Sequence, residues 1–132
     1  MRKIFLTIAM AIPAAVIPAM AHHSFTAQYD SNKPISLTGA VTKLEWTNPH
    51  ARFYLDVKDA SGAVTNWELE LGSPNTLIRY GFKRDSIHVG EQVTVDGYLA
   101  RDGSKTANAK TVKFTDGRTV NAGSSRDLDT TK

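Results

Sequence analysis

The chain contains no cysteine. That excludes a disulfide framework, a lipid anchor on a terminal thiol, thiol redox chemistry and Cys-ligated zinc. Charge of one sign is also scarce. The formal net charge is +3, and two of the basic residues, Arg2 and Lys3, sit at the extreme N-terminus. Without them the balance is 14 basic to 13 acidic residues, and no basic run stands out. This argues against nucleic acid as a partner. Long apolar runs are missing after residue 21, so no later segment is expected to span a bilayer. There is no glycine-rich phosphate loop, no serine in a nucleophile elbow, and no Asp-Gly spacing that matches a calcium loop. No catalytic residue is assigned.

What is present begins with an export signal. Arg2 and Lys3 precede an apolar stretch from Ile4 to Ile17, which Pro13 interrupts. Ala19-Met20-Ala21 then gives the small-x-small pattern that signal peptidase cuts after. Residues 1–21 are read as a signal peptide, 22–33 as an N-terminal arm, 34–121 as one small domain and 122–132 as a disordered tail rich in Ser, Asp and Thr. A cut after Ala21 makes His22 the first residue of an exported, periplasmic or secreted protein with no transmembrane segment.

From residue 34 the apolar pattern has period two. Ile35, Leu37, Gly39 and Val41 alternate, and the phase then slips to Leu44 and Trp46. A slip of one residue moves side chains to the opposite face, so a bulge is expected near Thr42-Lys43. Ala51, Phe53, Leu55 and Val57 form a second strand, and Trp67, Leu69 and Leu71 face inward from a third. Asp59-Ala60-Ser61-Gly62 is the turn between them. Ser73 caps a short helix with Pro74 at its first position. Leu77, Ile78 and Tyr80 would be its buried face and Gly81 its stop. A fourth strand carries Val93, Val95, Gly97 and Leu99, and a fifth runs from Ala107 to Phe114. A further short strand at 118–120 is an option. The order of strands with one short helix between the third and fourth indicates a mainly β, five-stranded Greek-key barrel of the OB-fold type. An open β-sandwich or another small barrel is the alternative. Phe25 and Tyr29 would lay the arm against the barrel.

The chain has four histidines, at 22, 23, 50 and 88. An N-terminal His22 would offer an amine and an imidazole on one residue, spaced to chelate a metal. A second imidazole from His23 or His50 would complete a nitrogen-rich site that suits copper. His22, His23 and His50 are therefore the metal candidates, against the plainer reading of a solvated arm and a Pro-His turn. His88 precedes a turn at Val89-Gly90 and is expected at the surface. The loop after strand four offers Arg101, Asp102, Ser104, Lys105 and Asn108. Glu68 and Glu70 share one strand face, where a solvated pair outweighs acid-base chemistry. Trp46 and Trp67 fall on apolar positions and are expected in the core.

Several segments are specific enough to carry a resemblance. His22-His23-Ser24-Phe25, the run Glu45 to His50, Gly72-Ser73-Pro74-Asn75, Val95-Asp96-Gly97-Tyr98 and Asp102-Gly103-Ser104 resemble an uncharacterised family of small exported proteobacterial proteins. The resemblance spans residues 22–123. That family is a domain of unknown function, so the resemblance implies little about activity. The layout is also similar, at the level of fold, to periplasmic bacterial OB-fold proteins, which implies a binding module more than an enzyme. Three functions follow as expectations. The first is an exported binding protein for a metal ion, copper by preference, or a small ligand. The second is an accessory or structural subunit of an envelope complex, meeting a protein partner through its loops and the Trp46 region. The third is a small copper-dependent redox enzyme.

Overall fold

A computed structural model describes residues 25–123. Residues 1–24, with the expected signal segment, His22 and His23 among them, and residues 124–132 lie outside that range. The elements are β1 (Tyr29–Glu45), β2 (Arg52–Lys58), β3 (Val64–Glu70), α1 (Pro74–Arg79), a 3₁₀ turn (Arg84–Ser86), β4 (Gln92–Ala100), β5 (Thr106–Phe114) and β6 (Thr119–Asn121). The protein is mainly β. Its strands form one sheet in the order β3-β2-β1-β4-β5-β6. These neighbours pair antiparallel, and β3 additionally meets β5 in parallel through Glu68, Leu69 and Glu70 against Thr106, Ala107 and Asn108. The sheet thus has six strands rather than the expected five. The sixth pairs with β5 through Thr119, Val120 and Asn121.

Alternation fills the core. Leu37 and Val41 from β1, Phe53 and Leu55 from β2, Trp67 and Leu69 from β3, Val93 and Val95 from β4, and Val112 and Phe114 from β5 are all buried together. Trp46 only packs against this cluster from its edge. The bulge in β1 falls where the phase slips: Val41 faces Leu55, and the next pair is Lys43 with Tyr54. The extra residue bends β1, whose first part pairs with β4 and whose last part pairs with β2. Gly39 and Gly97 serve the same curvature. A Cβ on Gly39 would run into the Asp56 carbonyl, and one on Gly97 into the Asn108 carbonyl, so neighbouring backbones approach there as no other residue permits.

Three boundaries differ from the alternation. β1 starts at Tyr29, five residues before the apolar pattern, because Tyr29 pairs with Ala100 before the register shifts to Pro34 and Tyr98. In α1, Ser73 Oγ accepts from the Thr76 amide and Pro74 opens the helix, but only Leu77 of the three expected apolar residues is buried. Ile78 is 51 % exposed and Tyr80 37 %. Successive helical residues point about 100° apart, and a helix this short turns a single face to the core. That face is continued by Phe82, whose amide reaches back to the Leu77 carbonyl at 2.9 Å. At the C-terminal side the chain stays bonded beyond β6. Ala122 is buried, donates to the Lys110 carbonyl and accepts from the Gly72 amide, both at 2.8 Å.

Candidate functional site

Glu70 ends β3, directly opposite Arg52 at the start of β2 and beside Asn108 of β5. Alternation alone gives Glu70 the outward face that Glu68 shares. The structure corrects this: Glu70 is buried, because the N-terminal segment of the chain folds over it. Tyr29, the first residue of β1, donates its hydroxyl to Glu70 Oε2 at 2.9 Å. From the loop before β2, His50 brings Nδ1 to 3.0 Å from Glu70 Oε1, an ion-pair contact. The Asn48–Pro49 peptide of that loop is cis. Arg52 adds a guanidinium nitrogen 3.6 Å from Glu70 Oε2. Its Nε lies 2.9 Å from Glu68 Oε1, close enough for an ion pair but not aligned as a hydrogen bond.

The electrostatics follow from this packing. Burial pushes the Glu70 carboxyl up, but the hydrogen bonds from His50 and Tyr29, with the positive charge of Arg52 beside them, outweigh burial and hold it below the ordinary carboxylate range. Tyr29 is driven far the other way, first by burial and then by the negative charge of Glu70. The pair therefore stays a carboxylate and a neutral phenol. His50 meets the carboxylate through Nδ1, and its side chain is 32 % exposed. A carboxylate fixing one imidazole nitrogen is the arrangement that orients histidines toward metals.

The N-terminal segment is clamped from the far side as well. Arg101, just past β4, donates from Nε to the carbonyls of Thr26 (2.7 Å) and Tyr29 (3.1 Å), and its amide donates to the Gln28 carbonyl. The Phe25 ring stacks near Tyr29 and edge-on to Tyr98. Between this clamp and the Glu70 centre lies a cleft of about 530 Å³, lined by Tyr29, Glu68, Glu70, Arg101, Asp102 and Ser104 among others. Residues 1–24 and 124–132 aside, the chain shows no group of three His, Asp or Glu side chains set to hold a metal; this holds for the described residues.

A model of a family of unknown function, DUF6152, matches residues 11–127. The chain belongs to that family. No curated protein matches it. The DUF6152 match runs through the whole described region and through His22 and His23, which lie outside that region.

Of the residues singled out in this DUF6152 sequence, His50 is brought to the centre, and Arg101, Asp102 and Ser104 line the cleft. Lys105 turns instead to the Trp67 ring, 5.3 Å from its centroid, and Asn108 is buried in β5. His88 stands apart and exposed, 3.8 Å from Glu91. Tyr29 and Arg52 were not singled out as site residues. Tyr29 carried one signal, an aromatic ring in an otherwise polar stretch; Arg52 carried none, because its role depends on the register that sets it opposite Glu70.

Proposed function

We propose that this protein is an exported binding module of OB-fold type that holds a copper-like metal ion, with His50 as one ligand and a processed N-terminal His22 as the chelating anchor, aided by His23. The observation that carries the reading is the 3.0 Å contact between His50 Nδ1 and Glu70 Oε1, which sets the imidazole against a carboxylate and leaves its second nitrogen for a ligand. Two features support it. The parallel β3–β5 pairing gives each of β1 to β5 two neighbours within that set of five, as closure into a five-stranded barrel requires, with β6 added beside β5. Tyr29, seven residues after His22, touches Glu70 itself, and Arg101 and Phe25 hold the segment on its N-terminal side. Among the described residues no helix is long and apolar enough to cross a membrane.

The test is a Cu(II) titration of protein that begins at His22, followed by electron paramagnetic resonance for nitrogen coupling. His50→Ala should weaken binding and remove one nitrogen from the spectrum. Glu70→Gln should weaken it by about 10–100-fold, the usual loss when the group orienting a ligand is changed. One Met added before His22 should cost most affinity, because it displaces the terminal amine. His88→Ala should bind as wild type. If the Met-extended protein and His50→Ala both bind as tightly as wild type, the metal reading is wrong.

A further inference from the structure

A second concave surface lies away from the Glu70 centre and shares no lining residue with its cleft. It is a groove of about 490 Å³ between the β1–β2 loop, α1 and the segment after α1, lined by Trp46, Ile78, Lys83, Arg84, Asp85 and His88. Its size falls within the ~300–1,000 Å³ common to small-molecule sites. The floor is apolar and rigidly backed. The Trp46 ring leans on the buried Phe82 ring at 6.1 Å, so its position is set by the core. Ile78, which the core leaves half exposed, supplies the facing wall. The rim is cationic. Lys83 and Arg84 are both exposed and form no ion pair among the described residues, and Asp85 is the single acid among the lining groups.

From this we infer that the groove binds a small anionic amphiphile, a molecule with an apolar tail or ring and a carboxylate-type head. The apolar part covers Trp46 and Ile78, removing them from water. The head meets Lys83 and Arg84, whose charges are otherwise left to solvent. Charge complementarity selects the anion over a neutral or cationic molecule of the same tail. A peptide is a poorer match, because the groove is walled by a loop, a short helix and a 3₁₀ turn and offers no strand edge for a backbone to pair with. The inference is independent of the metal reading, and its test contains no metal.

The experiment uses the full chain and three probes of eight carbons each: octanoate, 1-octanol and octylammonium. Two-dimensional NMR follows the Trp46 indole N–H and the Ile78 methyl signals. Octanoate should give saturable shifts at both and bind at least about threefold tighter than octanol, with octylammonium weakest. The exposed double substitution Lys83→Glu with Arg84→Glu should leave the remaining spectrum in place and reduce octanoate affinity about tenfold while improving that of octylammonium. Trp46→Ala should lose the Ile78 shifts with all three probes. Shifts centred elsewhere on the surface, equal affinity for the three head groups, or unchanged octanoate binding after charge reversal would each overturn the proposal.

Discussion

A carboxylate in a protein interior is held by its partners, and Glu70 has three: a phenol, an imidazole and a guanidinium. Their effect is a pH window. The Glu70 carboxyl lies below its unfolded range, so its contribution to stability is complete above the ordinary value of 4.5 and fades as pH falls through its lowered folded value. Tyr29 gives the opposite limb. Its folded pKa is raised above 10.0, so the folded state keeps a proton that the unfolded chain gives up; this contribution is complete below about pH 10 and is lost as pH rises further. Tyr29→Phe should therefore flatten the alkaline fall in thermal midpoint and lower stability near neutrality by about 1–3 kcal/mol, since it removes one donor to a buried charge. Thermal unfolding from about pH 2 to 11 checks both limbs. Equal alkaline limbs in the variant and wild type would remove Tyr29 as their source.

At the scale of elements, curvature is the recurring demand. β1 bends at its bulge, and β4 shifts register against β5 between Asp96 and Gly97. An alanine in a strand is ordinarily no worse than glycine, yet Gly97→Ala should destabilise by about 1–3 kcal/mol or more, because the new methyl meets the Asn108 backbone, which has no rotamer to yield with. A denaturant titration showing an unchanged or raised midpoint would contradict that close approach. The β1 bulge, the 59–62 turn and the Ser73 cap were legible in the sequence because each rests on local chemistry: a phase slip, turn formers, a hydroxyl before a proline. The first residues of β1 were not. Tyr29 to Lys33 read as part of the arm, and only pairing with β4 and the grip of Arg101 make it a strand. Glu70 was misread for the same reason, since what buries it comes from a segment 41 residues away in the chain. Ile78 shows the converse: apolar character marks it for the core, but the helix is too short to turn it inward.

For the molecule as a whole, the parallel pairing of β3 with β5 is a short seam between long ladders. It joins residues 38 apart in sequence through three registered pairs, whereas β1 and β4 run together from Tyr29 to Ala40. A seam with few bonds and a large loop to close is where a native protein opens first. Within β1 to β5, amide hydrogen exchange should be fastest at the Glu68 amide that bonds to Lys105 across the seam and at its neighbours in residues 106–108, and slowest in the middle of β4. Glu70 is itself one of the three residues of that seam. The Glu70–His50–Tyr29 centre therefore sits on this short seam of the sheet. A ligand that bridges His50 to the N-terminal segment, which β4 and Arg101 hold, should act as a rivet, slowing exchange at residues 106–108 while leaving the β1–β4 ladder unaffected.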